Sequence, residues 1–511
     1  MLRTPFLGGS LAVLVVVVLL PLASCARKAD PNTLVMLIES SPTNLDPRIG
    51  VDAQSERIDN LIFDDLLTRG DNLDVAPGLA ERWDIPDPLT YIFHLRHPVT
   101  FHDGRPLTSR DVKWTFDSLL QEKVRSTKSA VYRFVDHIDA PDNFTVIFRM
   151  KEPSATLLWN LSDGAIGIVP YGSGGEVSTH PMGSGPFKFV SAETDKEVIV
   201  ERNGEYWGDK AKLFRVRFAV VPDATTRALE LRKGSADAAI NALTSDTVLA
   251  LERNPALAVE RGPGTVLAYM GFNLRDPVLK DVRVRQAIAY ALDRKPMIEY
   301  LWRGEAQPAR SILPPQSWAY NGEVPAYNHN PEKARQLLDV AGYPVVDGVR
   351  FHITMKTSTD ENTRLMVAVM QQQLREVGIA LDIRSFEFAT FFNDVTHGAF
   401  QLYGLRWIGG NEDPDIFEYA FHSAKFPPNG ANRGYYSNPR VDALIDQARR
   451  EVDQNSRKNI YADLQLILAN ELPYIDLWYL DNVLVHNKRV RNLQLNSAGN
   501  YDFLRTAGLA P

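Results

Sequence analysis

Cysteine occurs once in the 511 residues, at Cys25, so the chain can build neither a disulfide framework nor a four-thiolate metal cage. Long apolar runs are also missing. The one near the start, Leu11 to Leu20, is ended by Pro21 and falls short of the roughly 18 residues that span a bilayer. There is no block of basic residues, and Lys plus Arg at 56 against Asp plus Glu at 63 leaves a net charge of −7, so no nucleic-acid partner is expected. No His opens an H-E-x-x-H, no Ser sits in G-x-S-x-G, and no Gly-Lys-Ser/Thr phosphate loop occurs. The common hydrolase and nucleotide signatures are therefore absent, and no cofactor is implied.

What is present describes an ordinary globule of several domains. Hydrophobic residues make up 44% and charged residues 23%, far from disordered composition, and the length corresponds to about three domains. The first residues have the layout of a secretory signal: Arg3, the apolar run, then Leu22-Ala23-Ser24-Cys25. This reads as a signal peptide over residues 1–24. Leu-Ala-Ser-Cys resembles the lipobox of bacterial lipoproteins, which implies acylation of Cys25 and a lipid tether to the membrane; the plainer alternative is an ordinary signal with a free thiol.

Along the rest of the chain, strand and helix periods are both legible. Residues 34–38 form a continuous apolar run, while Tyr91, Phe93 and Leu95, and Phe144, Val146, Phe148 and Met150, alternate at period two. Thr108 and Asp111 form a capping box ahead of Val112, Phe116, Leu119 and Leu120. Asp281, Asn330-Pro331 and Asn438-Pro439 open three further helices, and Leu365, Met366, Val369, Gln373 and Val377 mark another that stops at Gly378. Breaks at 172–175, at Gly262-Pro263-Gly264 and at Asp481-Asn482 are candidate boundaries, the first read as a flexible linker. The class is α/β.

Candidate chemistry is sparse. His94, His97 and His102 cluster, but Pro98 and Asp103-Gly104 break the strand that would align them, so turn and surface roles are expected rather than a metal site. Asn411-Glu412-Asp413-Pro414-Asp415 crowds acids without the spacing of a calcium loop and reads as a turn capping its own backbone. Trp407, at the end of the alternating strand Leu402 to Arg406, is either core or platform. Arg406 is either a carboxylate clamp or an outward-pointing surface arginine.

Several segments in a fixed order resemble one known family. They begin with Ser41-Pro42-Thr43-Asn44-Leu45-Asp46-Pro47 and Phe63-Asp64-Asp65-Leu66-Leu67. The densest stretch is Pro77 to Trp83, Tyr91 to Arg96, Val99 to Gly104 and Asp111-Val112. Gly183 to Phe187, Asn203 with Tyr206-Trp207, Phe272-Asn273, Val284 to Ile288, Ala334 to Leu338 with Ala341-Gly342-Tyr343, and Glu471-Leu472-Pro473 with Leu477 continue the pattern. Together they resemble the family 5 solute-binding proteins of ABC importers, the dipeptide, oligopeptide and nickel receptors.

The resemblance implies a periplasmic binding protein-like α/β fold (type II, cluster C-like), with two lobes, a hinge and an inserted extra domain. The corresponding boundaries are a signal at 1–24, lobe I at 25–60, 165–262 and 481–511, the inserted domain at 61–164, and lobe II at 263–480. It further implies a monomeric, non-enzymatic extracytoplasmic receptor that closes on a solute, most simply a short peptide, and docks on an ABC permease and its ATPase. Trp407 to Asp415 resembles the dipeptide receptors' cleft motif, except that Gly410 stands where those receptors place an Asp to hold the ligand's ammonium group. Expected cleft residues are Asn44, Tyr269, Arg406, Trp407, Gly410, Asn411 and Asp413, with no metal. Other readings are the same role for an oligosaccharide, a nickel chelate or an opine-like compound, an extracytoplasmic metal-assisted hydrolase using Glu412 to Asp415, and a holdase or sensory partner.

Overall fold

The structure is a computed structural model that describes residues 31–70, 72–162, 166–409 and 412–510. The signal segment and Cys25 lie outside the described residues.

Three main sheets organise the chain. The first has seven strands in the order Leu257–Gly262, Asn482–Asn487, Ala238–Ile240, Thr33–Ile38, Arg215–Val220, Glu197–Arg202 and Phe187–Glu193. Its centre is the continuous apolar run. Thr33–Ile38 is buried along its whole length and pairs in parallel with both neighbours, as expected of a strand covered on both faces. The second sheet has six strands in the order Ala306–Pro308, Tyr474–Leu480, Leu267–Phe272, Leu402–Trp407, Phe351–Ser358 and Ile379–Phe386. Leu267–Phe272 is again fully buried, with separate apolar clusters on its two faces.

The third sheet is antiparallel, in the order Ala80–Asp87, Thr90–Leu95, Thr145–Met150 and Val135–Asp142. Here the period-two pattern holds: Tyr91, Phe93, Leu95, Val146, Phe148 and Met150 turn inward onto Phe116 and Leu119 of helix Ser109–Leu120. Phe144 does not join them. It lies beyond the strand and stacks on His97 at 4.5 Å.

The chain crosses between the two large sheets twice. It leaves the seven-stranded sheet after Gly262, enters the six-stranded sheet at Leu267, and returns through Asp481, between Tyr474–Leu480 and Asn482–Asn487. The crossings lie side by side: the Leu480 N–H donates to the Val266 carbonyl at 2.9 Å, and a Cβ on Gly264 would sit 2.2 Å from the Leu480 carbonyl oxygen. Only glycine permits that approach.

Helix starts follow their caps. The Asp111 carboxylate accepts from the Thr108 N–H at 2.8 Å, and Asp281, Asn330 and Asn438 accept from the backbone of their own first turns. Helix Glu361–Glu376 forms as expected, but its inward stripe is Met366, Val367, Met370 and Leu374, with Leu365 turned to solvent. Apolar residues lie on adjacent faces of that helix, so periodicity alone does not choose the one the sheet covers.

The 172–175 segment is not a linker. Arg48, fully buried, donates to the carbonyls of Ser173 at 3.3 Å and Gly174 at 3.0 Å, and the Trp114 Nε1–H donates to the Ser173 carbonyl at 3.2 Å. Backbone oxygens in a Gly-Ser run carry no compositional sign that an arginine will bind them. Among the described residues no helix is long and apolar enough to cross a membrane.

Candidate binding site

Strand register assembles the aromatic side chains. In the antiparallel pair of Leu267–Phe272 with Leu402–Trp407, Leu267 faces Trp407, Tyr269 faces Leu405 and Gly271 faces Tyr403, so Tyr269, Tyr403 and Trp407 share one side of the sheet. Tyr474, opposite Gly271 on the other neighbour, joins them. Gly271 makes room for the ring above it, since a Cβ there would lie 2.3 Å from Tyr403.

The rings form a row. Tyr269 stacks on Tyr474 at 4.5 Å and 23°, and on Trp407 at 6.0 Å and 17°. Beyond Trp407, the Arg433 guanidinium lies 5.5 Å from the Trp407 ring and 5.4 Å from Phe392, which stacks on Phe388 at 5.8 Å. Arg433 Nη1 donates to the Tyr269 hydroxyl at 3.2 Å. Burial pushes the hydroxyls of Tyr269, Tyr403 and Tyr474 up, so they stay neutral and Arg433 gives the row its charge. Trp407 Nε1 is buried with no acceptor among the described residues. Phe388, Ile408 and Tyr419 are 54%, 78% and 45% exposed, an apolar rim around a cation.

The opposite side of the strand carries Arg406. Its guanidinium lies 5.1 Å from the Trp302 ring and lines a cavity of about 270 Å³ together with Asp360, Met366 and Tyr269. Asp360 caps its helix by accepting from the Thr363 N–H at 2.8 Å. Burial raises this carboxyl, but the Thr363 bonds and the Arg406 charge outweigh burial and leave it low.

The acidic turn divides its partners. Glu412 accepts from Arg69 and, at 3.0 Å, from the Thr265 hydroxyl. Asp413 accepts from the Asp415 N–H at 2.6 Å and lines a cavity of about 190 Å³ with Trp83, Trp159, Trp318 and Arg457; burial, opposed by Arg457, pushes it up to about 6. Asp415 pairs with Arg449 at 2.8 Å. Each acid thus faces a different arginine, and among the described residues no group of three or more His, Cys, Asp or Glu is placed to hold a metal. The same turn touches the chain's other half: Arg69 belongs to strand Leu67–Arg69, and nearby the Trp318 N–H donates to the Asn72 carbonyl at 2.9 Å and the Ala155 N–H to the Arg449 carbonyl at 3.0 Å.

Of the expected residues, the structure therefore brings Tyr269 and Trp407 together in the row, carries Arg406 on the other side of the strand in a cavity that Tyr269 also lines, and puts Asp413 in a separate cavity. Asn44 lies apart from these, in a cavity of about 420 Å³ with Thr43, Ser178 and Phe189, where its side chain accepts from the Asp46 N–H at 2.8 Å. Gly410 and Asn411 lie outside the described residues. The histidines separate: His94 meets Asp84 at 2.8 Å, His97 stacks on Phe144, and His102 meets the Gly185 carbonyl at 3.1 Å. Arg433, Phe392, Phe388 and Tyr419 were not anticipated. Phe388 and Phe392 share a helix face at i, i+4, a readable signal; Arg433, in a loop, has none.

Comparison with known proteins now places the chain. The family model described as "Bacterial extracellular solute-binding proteins, family 5 Middle" matches residues 74–427, and the chain belongs to that family. It is 30% identical to "Probable di/tripeptide-binding protein 5" of Pseudomonas aeruginosa (strain UCBPP-PA14), over 94% of this chain and 97% of that one. It is 28% identical to "Heme-binding protein A" of Haemophilus influenzae, over 88% and 87%. The solved structure of HbpA2 from Haemophilus parasuis superposes with a TM-score of 0.84 at 26% identity, covering 94% of this chain and all of that one. The expected family and two-lobed α/β fold are thereby established.

Proposed function

We propose that this chain is the extracytoplasmic receptor of an ABC importer, capturing a short peptide between two lobes and passing it to the permease and its ATPase. In this reading lobe I comprises 25–60, 165–262 and 481–511, the inserted domain 61–164, and lobe II 263–480. The paired crossings at Gly262–Leu267 and Asp481 act as the hinge. The observation that carries the proposal is the aromatic row ending at Trp407, with Phe388, Ile408 and Tyr419 left in solvent around it. An apolar rim holding a few polar groups is the form of a binding surface, and in this assignment the Arg69–Glu412 contact joins the inserted domain to lobe II. Closure favours ligand only through extra affinity for the closed form.

Peptide is favoured by the Pseudomonas relative's name, and a non-peptide solute is the second reading, favoured by Gly410 and by the Haemophilus relative. The protein performs no chemistry in either case, acts as a monomer, and is held at the membrane by acyl chains on Cys25.

Thermal unfolding with a pool of di- to hexapeptides tests this. Peptide at about 100 times its dissociation constant stabilises the binding-competent state by roughly 2.7 kcal/mol, a clear rise in Tm. A rise with oligosaccharides, nickel chelates or heme, and none with peptides, would move the ligand class and leave the receptor role. No rise with any of them would overturn both.

A further inference from the structure

The acids around Trp407 and Arg433 have partners, whereas Asp476, in register with Tyr269 at the other end of the row, faces Arg294 and keeps one oxygen without a partner among the described residues. Glu412 is bound by Arg69 and Thr265, Asp415 by Arg449, and Glu418 lies 2.9 Å from Lys425 and 3.3 Å from Arg449. Asp413 is buried facing Arg457, and Asp360 is committed to its helix cap beside Arg406. Position 410 is glycine and adds no charge.

Arg433 is the opposite case. It donates to one neutral hydroxyl, and no carboxylate pairs with it among the described residues. Its guanidinium is partly exposed between the Phe392 and Trp407 rings, and its remaining N–H groups have no acceptor among the described residues.

We propose that Arg433 is the anion anchor of this site, and that the ligand is recognised through a carboxylate while its amino end is blocked or absent: an N-acylated peptide or a similar peptide-like acid. This rests on the peptide reading above. A guanidinium held between two aromatic faces is pre-oriented for a charge-assisted, bidentate bond to a carboxylate. An ammonium brought into the same place would meet a cation that no carboxylate pairs with among the described residues, and like-charge contact in a partly dry site is costly.

The test is titration calorimetry on the full chain at pH 7.5, with tri-alanine and Ala-Phe-Ala each supplied free, N-acetylated and C-amidated. Acetylation is expected to leave affinity within about threefold or to improve it, whereas amidation lowers it about tenfold or more, the scale of one charge-assisted bond. In Arg433→Gln, acid and amide should bind alike, and Arg433→Lys should recover part of the difference, as a coupled pair requires. The acid-against-amide arm uses the unaltered chain, so the inference stays testable if a variant misfolds. Free peptide binding tenfold tighter than acetylated peptide, or amide binding as tightly as acid, would overturn the inference and leave the peptide reading standing. Binding of none of the forms would overturn the peptide reading and the inference with it.

Discussion

Arg48, in the loop between strand Thr33–Ile38 and helix Ala53–Ile62, uses all of its side-chain N–H groups inside the protein: two meet Asp46 at 2.9 and 2.7 Å, and the others meet Ser118, Ser173 and Gly174 at 3.0 to 3.3 Å. Arg433, beside the six-stranded sheet, makes one bond to a tyrosine and otherwise lies between rings. A buried cation with every donor satisfied is part of how the chain folds, since leaving any of those groups dry and unpaired costs free energy. A cation with a single hydrogen bond, held between half-buried rings, still has donors to offer a group outside the chain, which is the role proposed for it above.

The largest effect that would sharpen this contrast is on stability. Arg48→Ala leaves Asp46 fully buried without its counter-charge and frees two carbonyls of the 173–174 turn. Breaking one half of a buried pair costs about 3 to 5 kcal/mol. Urea unfolding at pH 7 should show that loss, and a change below about 1 kcal/mol would mean that the pair contributes nothing net.

A second test uses an acid. Asp476 has one carboxylate oxygen buried without a partner among the described residues, and burial, opposed by Arg294, pushes it up to about 7. The native state thus holds this proton more tightly than the unfolded chain, in which Asp titrates near ~4, so stability falls as pH rises from about 4 to about 7 and the loss is complete above that. Asp476→Asn should therefore raise stability at pH 7.5 by about 1 to 2 kcal/mol and leave it unchanged near pH 4. Thermal melts at the two pH values decide the matter; a loss at pH 7.5 would show that attraction to Arg294 outweighs the burial cost.

How much of this was readable from sequence follows from the range of each interaction. Caps such as Asp111, Asp281, Asn330 and Asn438 act within a single turn, and all four are visible as residue patterns. Both crossings are visible as a Gly-Pro-Gly break and a polar turn, and Trp407 stands out at a strand end. Arg433 was invisible because its hydroxyl partner, Tyr269, is 164 positions away and its ring partners come from separate elements. The 172–175 turn resembles a linker in composition for the same reason: the arginine that holds it, Arg48, stands 125 positions earlier. Asn44 looked like a cleft residue through its motif, yet its side chain closes a local turn onto Asp46.

The smallest expected effect is the one most able to break the comparison. Arg433→Gln, measured without ligand, removes a single bond to a neutral hydroxyl and two cation–ring contacts at a partly exposed position. Such contacts contribute about 0.5 to 1 kcal/mol in exposed settings, and glutamine can still donate toward Tyr269, so a stability loss of about 1 kcal/mol or less is expected. The ratio to Arg48→Ala carries the argument. If both variants lose several kcal/mol, Arg433 is a structural arginine and its missing acid says nothing about ligand. If Arg433→Gln melts with the parent yet no longer distinguishes a peptide acid from its amide, the difference between the two arginines is a difference between fold and recognition.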